Sequence, residues 1–586
     1  MGLPKSMIVL PLMLALASGN AHAQWPQGPD SSLSISTSGQ LPGTGISMLS
    51  DGLGGAFMTW RGGFGCPGIW QDEASFQRVS ADGRLWESGL SRLKGLQPAI
   101  TSDGRGGIIA VWRTDAFQTD SDSYRYFELR CQRFDAWGAP QWAEDIALPT
   151  FGDAENECFS FPWQLPSPRN PVLVSDGSGG AIAVWQEDTQ ITVQRITASG
   201  DTAWGPVGHW IYGGGSPRWM NAVSDQHGGV IVVYSHWGGS LRAQRIDANG
   251  TVLWGNWDSP VSVGLVMPEL HQPSVASDDS GGVIVTCYKQ SFGPLSSTLL
   301  VQRVDASGQL RWTNGGVRVC STQPTRYTAP PAIIPDGDGG AVIAWPDHRA
   351  GTECFLSYQV YAQRVARSGT TLWSEDGILL SGAPDTVSDC AITTDGHGGA
   401  IVAWTRWENS FSLFWNDPSL RRPTNQIWAQ RVDSQGSIRW GDSGRLLAAA
   451  APRRRFPRLV PDDMGGAIVA WEASLSIEAQ RISSSGELVS GGAPESPGSI
   501  VAIPNPARHE ATFRMALHRS GHATVSIHDL SGRRVRALFE GDLEAGERWA
   551  AWDGRDDAGN RAPPGVYFAR VTHPGTRAIG RVILLP

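Results

Sequence analysis

Asp336-Gly-Asp-Gly-Gly-Ala-Val-Ile-Ala-Trp345 decides the fold. An Asp is followed three and four residues later by Gly-Gly, and an apolar run then ends in Trp. Seven relatives of this stretch begin at Asp51, Asp103, Asp176, Asp225, Asp278, Asp395 and Asp462, a mean spacing of about 59 residues. Where Trp345 stands, they carry Trp60, Trp112, Trp185, Tyr234, Cys287, Trp404 and Trp471. A second block follows in every copy: Gln-Arg, then Gly five residues after the Arg. Its Arg residues are 78, 133, 195, 245, 303, 364, 431 and 481. Seven copies place a Trp just beyond that Gly (Trp86, Trp142, Trp204, Trp254, Trp312, Trp373 and Trp440), and the eighth lacks it.

One unit reads as four strands separated by turns. Pro331 to Pro335 is extended. Asp336 to Gly339 is a tight turn, because Asp bonds its own backbone and Gly supplies positive φ. Ala341 to Trp345 is a continuous apolar strand, Val360 to Val365 alternates, and Thr370 to Trp373 is a fourth strand. Repeated four-stranded units of this length imply an all-β fold, an eight-bladed β-propeller over 24–490. An open solenoid of the same units, or two smaller rings, are its rivals. Ser32 to Thr37 resembles the Gly316 to Thr322 stretch that leads into a new unit. It is expected to return and seal the last blade, which is truncated after Val489. Closure would leave few exposed strand edges.

The ends and the composition set the context. Lys5, the apolar run Met7 to Ala17 and Ala21-His22-Ala23 read as a signal peptide over 1–23, cut after Ala23. No later stretch is long and apolar enough for a membrane-spanning helix. The net charge of −9 argues against a nucleic-acid partner, which needs a basic face. The chain is therefore expected outside the cell, secreted or on the outer surface. Seven cysteines are an odd number, so at least one thiol has no partner within the chain. Cys287 stands at a position that should be buried and is the candidate inert thiol. Cys131 with Cys158, and Cys320 or Cys390 with Cys354, are the nearest pairings in sequence.

The connections sort by length. The Asp-x-x-Gly-Gly turn and the turn after the third strand are short in every copy. The other two vary: 14 to 31 residues from the second Gly to the Gln, and 20 to 38 from the last Gly to the next Asp. In an up-down blade the short turns share one rim and the variable loops the other. Binding usually sits on variable loops held by a rigid scaffold. The largest insertions carry Tyr124 and Tyr126 in the second unit, and Trp407, Phe411, Phe414 and Trp415 with Arg421-Arg422 in the seventh. These aromatics are the candidate binding residues, since flat rings stack on sugars or peptides.

No catalytic set, metal site or cofactor motif emerges. The repeated Asp turns lack the alternating oxygen ligands and closing carboxylate of a calcium loop. Residues present in every unit read as scaffold, and the Arg is expected to span adjacent blades. Asp347-His348-Arg349 and Glu187-Asp188 read as solvated loop ends.

A linker, 491–499, leads to a cysteine-free region, 500–586. Its strands are expected at Ala511 to Leu517, Ala523 to Asp529, Val535 to Phe539, Arg548 to Trp552, Val566 to Val571 and Ile579 to Leu584, the pattern of an immunoglobulin-like sandwich. Asn505-Pro506, Asp529-Leu-Ser-Gly-Arg533, Gly546-Glu547, Trp552-Asp-Gly-Arg-Asp-Asp-Ala-Gly559 and Gly565-Val-Tyr-Phe568 resemble the flagellar-hook-capping Ig-like domain. They also resemble the related C-terminal sorting domains of the type IX secretion system. The resemblance implies an export or surface-attachment module, with that machinery as partner, in a Gram-negative-type bacterium. The repeats resemble those of uncharacterised secreted bacterial propeller-like proteins, which implies no activity. The expected function is a secreted or cell-surface binding scaffold for an extracellular glycan or protein. A structural cell-envelope protein and a propeller glycoside hydrolase or lyase are the alternatives.

Overall fold

The computed structural model describes residues 25–489 and 500–585 with internal gaps. The longer gaps are 37–44, 119–124, 149–168, 213–218, 267–272, 291–296, 321–328, 350–357 and 409–423. The described residues contain strands and no α-helix, so none is long and apolar enough to cross a membrane as a helix.

Residues 33–482 form eight four-stranded antiparallel sheets. In the sixth, Ala332–Pro335, Ala341–Asp347, Gln359–Val365 and Ile378–Leu379 pair in chain order. The first three match the sequence reading to within two residues. The fourth differs. Thr371 makes only an isolated bridge to Val365, and Trp373 is drawn off the sheet, its indole N–H donating to Ser434 O of the next sheet at 3.3 Å. The fourth strand starts only after Gly377, whose φ of 82° turns the chain back.

The turn chemistry is repeated at high fidelity. Asp336 Oδ1 accepts from the amides of Asp338 (2.9 Å) and Gly340 (2.8 Å). The first Gly of each pair has positive φ. At the second, a Cβ would stand 2.2–2.5 Å from a carbonyl of the third strand in all eight copies. Only Gly fits there. The other oxygen, Asp336 Oδ2, takes Arg364 Nε at 3.0 Å, and every copy forms this Asp–Arg pair. Both partners are largely buried, so each Arg satisfies an otherwise costly buried charge.

The same Arg also reaches the neighbouring sheet. Arg78 Nη1 donates to Ala136 O, Arg195 to Ala248 O, Arg245 to Ala306 O and Arg431 to Ser484 O. Each of those carbonyls also receives the repeated Trp of the preceding sheet, as from Trp86, Trp204, Trp254 and Trp440. Sheet is thus tied to sheet through the short turns, which therefore share one rim. An Arg bridge between neighbouring sheets is thus present, as expected.

The eighth sheet is completed by the N-terminal segment. Leu33–Ser34 pairs antiparallel with Ile477–Ile482, Leu33 opposite Ala479. Ile35 N donates to Ile477 O at 2.8 Å, and Ile477 N to Ser36 Oγ at 2.9 Å. The sixth sheet uses Leu380 and Ser381 in the same way against Val360. Trp25 supplies what the eighth repeat lacks: its indole N–H donates to Ala81 O of the first sheet at 2.9 Å, beside Arg481 Nη1 at 2.7 Å. Gln480 Nε2 holds Pro26 O at 2.9 Å. Trp25, Ile35, Met58 and Trp60 share one core with Ile468, Ala470 and Ile477. The first strand of each sheet also touches that of the next, and Arg455–Pro461 of the eighth touches Ser47–Ser50 of the first.

Cys287 is fully buried between the fourth and fifth sheets, as expected, with its thiol pushed up to about 12 by burial. Cys131 and Cys390 are also buried free thiols, so neither forms the bridge considered for it. Cys158 and Cys354 lie outside the described residues. Asp347 and Glu187 are not solvated: both are buried, and each accepts the indole N–H of the Trp two residues before it, Trp345 at 3.0 Å and Trp185 at 2.8 Å. Arg349 closes on Asp347 Oδ2 and stacks 3.8 Å from the Tyr361 ring centre. A buried indole N–H needs an acceptor, and these acids provide it.

Candidate functional site

The rim opposite the short turns carries the irregular features. Second strands end there and third strands begin. In the seventh sheet, Ala400–Glu408 and Thr424–Val432 flank the 409–423 insertion. Register sets the faces. Thr405 lies opposite Ile427 and Trp407 opposite Asn425. Successive side chains alternate across a strand, so Thr405, Trp407 and Asn425 share the face of Ile401, Ala403 and Ile427. That face packs on Leu459 and Val469 of the eighth sheet. These residues therefore line the variable-rim end of the seam between the two sheets.

Both innermost strands are distorted at this seam. Thr386–Thr394 shifts register between Val387 and Cys390, and Arg455–Pro461 between Arg455 and Arg458. Arg453 and Phe456 hold positive φ (60° and 54°). Bulges of this kind re-aim side chains, and non-Gly residues with positive φ mark strain worth a functional explanation. The first bulge buries Asp389, which is 5% exposed. Burial raises its pKa above the ordinary carboxylate range, while Ser388, Thr405, Arg458 and the Phe456 backbone pull the other way. Phe456 and Arg458 are exposed on the eighth-sheet side, the Phe456 ring lying under Arg455 at 4.9 Å.

Three buried oxygens of the seventh sheet, Asp389 Oδ2, Thr405 Oγ1 and Asn425 Oδ1, make no well-aligned hydrogen bond among the described residues, although Thr405 and the Phe456 backbone stand close enough to Asp389 to favour its charged form. Buried polar atoms are normally satisfied, and a cluster that is not points to a missing ligand or water. Three acceptors beside half-exposed aromatic rings and one Arg suit a ligand rich in hydroxyl donors. Glu472 is a second acid nearby, its pKa also raised by burial. Its carboxylate is occupied, by Gly45 N–H at 3.1 Å and Arg455 Nε at 3.4 Å. It braces the eighth sheet rather than facing a ligand. Among the described residues no group of acids, His or Cys is placed to hold a metal ion.

Of the aromatics singled out from sequence, Trp407 lies at this seam, half-buried. Tyr126 lies in the strand Arg125–Phe134 of the second sheet, away from it. Tyr124, Phe411, Phe414 and Trp415 lie outside the described residues. Asp389, Thr405, Asn425, Phe456 and Arg458 were not foreseen. One signal was available: six residues before each repeat Asp the chain reads Gly45, Gln97, Asn170, Trp219, Gln272, Pro330, Asp389 and Phe456, with one acid in the set.

The C-terminal region is a separate unit of two sheets. One joins Ile500–Ile503, Ala511–Leu517 and Gly546–Trp552; the other joins Arg534–Leu543, Gly521–His528, Gly565–His573 and Thr576–Leu584. Phe513, Met515 and Trp552 of one sheet pack on Val525, Ile527 and Tyr567 of the other. All six expected strands are present, preceded by Ile500–Ile503, which was not expected.

Residues 506–576 match the model of the FlgD Ig-like domain family.

Within this Ig-like domain the motif residues are structural. Trp552 is buried edge-on to Tyr567, ring centres 5.0 Å apart, and its N–H caps Arg555 O at 2.8 Å. Asp529 holds its turn through the amide and Nε of Arg533, both at 3.0 Å. No curated protein sequence matches the chain. Among solved structures, the chain is similar to the β-propeller domain of the Trilobed protease from Pyrococcus furiosus, which is described as having an open velcro topology (9% identity, 66% of this chain and 91% of that one, TM-score 0.32). It is also similar to an α-L-arabinanase from Penicillium chrysogenum (9%, 57% and 93%, TM-score 0.29). A family 43 arabinoxylan arabinofuranohydrolase from Bacillus subtilis is a third (10%, 78% and 91%, TM-score 0.25).

Proposed function

We propose that this chain is a secreted or surface-displayed binding scaffold. Its repeats form a closed eight-bladed propeller, which grips a carbohydrate at the variable rim between the seventh and eighth blades. Its Ig-like domain serves export or attachment to the cell surface. Ring closure is supported by Trp25 and Leu33–Ser34 filling the vacant positions of the eighth repeat. The ligand class is supported by three buried oxygens without a well-aligned partner, Asp389 Oδ2, Thr405 Oγ1 and Asn425 Oδ1, beside Trp407 and Phe456. Sugar hydroxyls donate to such acceptors while a ring face stacks on the aromatics.

Glycan-array screening followed by calorimetry on the hit tests the reading. Thr405→Val and Trp407→Ala should each weaken binding about tenfold or more. Absence of any glycan ligand, or unchanged binding by both variants, overturns it. A glycoside hydrolase or lyase is the second reading, favoured by the buried Asp389 carboxyl at this seam, whose pKa burial raises. Turnover of the bound glycan that is lost in Asp389→Asn would select that reading.

A further inference from the structure

The short-turn rim is uniform except between the fifth and sixth sheets. There the Arg303 side chain keeps its ion pair with Asp278 at 2.8 Å. Its Nη1, however, lacks the hydrogen bond to the next sheet's turn carbonyl made by the other seven arginines. Nη2 instead meets Ser280 Oγ at 3.3 Å. The residue that offers that carbonyl is Ala or Ser at the seven equivalent positions (Ala81, Ala136, Ala198, Ala248, Ala306, Ser434 and Ser484) and is Arg367 here. The exposed Arg367 lays its stem against Gly339. Its guanidinium has no ion pair or hydrogen bond among the described residues.

An open cleft of about 660 Å³ lies at this junction, lined by Arg303, Arg311, Arg367 and the hydroxyls of Ser280, Ser307 and Ser368. Its one acid, Asp305, is paired with Arg311 at 2.5 Å. The charges can be counted. Among the lining groups, Asp278 pairs with Arg303 and Asp305 with Arg311, and Arg367 remains without an ion pair; Asp279 and Asp338 lie near the same junction, Asp338 sharing Arg364 with Asp336. The cleft lining thus offers one guanidinium without an ion pair, spare N–H groups and three hydroxyls. Guanidinium forks match tetrahedral oxyanions. The volume exceeds that of a bare ion and lies in the range of small-molecule pockets.

We propose that this cleft binds a sulfate ester carried on a sugar. A sulfate half-ester bears the single negative charge that Arg367 balances; a phosphate monoester at neutral pH bears more. The site lies on the opposite rim from the seventh–eighth seam; the sulfate is argued from the cleft alone, and the sugar that carries it rests on the carbohydrate reading of that seam. It would let one propeller engage a sulfated polysaccharide at a second point.

The test is calorimetry on the mature full-length protein with glucose 6-sulfate, glucose 6-phosphate and glucose. The key variant is Arg367→Ser, which installs the residue of the seventh and eighth sheets and preserves the turn. Glucose 6-sulfate should bind and glucose should not. Arg367→Ser should weaken sulfate-ester binding about tenfold or more, and added salt should weaken it as well. Trp407→Ala should leave it unchanged. No binding of glucose 6-sulfate, equal binding by Arg367→Ser, or tighter binding of glucose 6-phosphate would each overturn the assignment.

Discussion

Replacing Trp25 by Ala should destabilise the propeller as much as deleting a tryptophan from the middle of the repeat series. Trp25 is 1% exposed and packs in the core shared by the first and eighth sheets. Truncating a buried Trp costs about 3–5 kcal/mol through lost burial and a residual cavity. Its N–H bond to Ala81 O adds little on its own, because that carbonyl keeps Arg481 as a donor at 2.7 Å. Trp25→Phe should therefore recover most of the loss, leaving a deficit of about 1 kcal/mol from the missing hydrogen bond. Urea unfolding of the wild type, both variants and Trp440→Ala makes the comparison. Trp440 is the internal equivalent, buried to 1% and bonded to Ser484 O at 3.1 Å. The reasoning is refuted if Trp25→Ala stays within about 0.5 kcal/mol of wild type, the scale of an uncoupled surface substitution, while Trp440→Ala loses several.

Three further outcomes follow from the scaffold and the seam. Asp278→Asn leaves Arg303, whose side chain is 5% exposed, without its counter-charge; breaking such a pair costs about 3–5 kcal/mol, read as a lower urea midpoint. Gly340→Ala places a Cβ 2.2 Å from Val365 O and should cost roughly 1–3 kcal/mol by overpacking, whereas Gly337→Ala, with open space around it but φ of 81°, should cost about 1 kcal/mol. Asp389→Asn should raise the unfolding midpoint at pH 7. Burial holds the folded carboxyl's pKa above its unfolded value, so this group favours the fold below the unfolded pKa and loses that contribution as pH rises through the folded one. The gain should shrink as the pH is lowered toward the ordinary aspartate range, and a pH-independent gain would contradict the assignment.

Legibility followed repetition. Asp336, Gly340 and Arg364 could be read because their chemistry is local or recurs in eight copies, so a single chain serves as its own comparison. The fourth strand was misplaced because Trp373 looks like a strand residue, yet its indole is claimed by a carbonyl of the next sheet. Asp347 and Glu187 looked solvated because nothing local shows that an indole N–H two residues earlier will bury them. Trp25 escaped notice for a topological reason. It carries none of the Gly-containing context of the other tryptophans, and the eighth-sheet residues that it packs on, Ile468, Ala470 and Ile477, lie hundreds of residues away. The seam residues Asp389 and Arg458 come from distorted strand ends of two different units. The bulge itself recurs at this repeat position in the second and third sheets, but the residue types it carries do not repeat. The pairing of adjacent units is legible, but what two irregular ends build together is not.

Ring closure by the N-terminal strand is the claim on which the rest depends, and disulfide trapping across Leu33 and Ala479 tests it most directly. The two residues face each other in the antiparallel register, where Cα atoms are about 4.5–5.5 Å apart, within disulfide reach. Cys131, Cys287 and Cys390 are buried and will not compete. Mild oxidation of the Leu33→Cys/Ala479→Cys protein should give an intramolecular link, identified by peptide mapping, with a raised thermal midpoint. Free thiols at both positions, or links formed only between molecules, would contradict the closed ring.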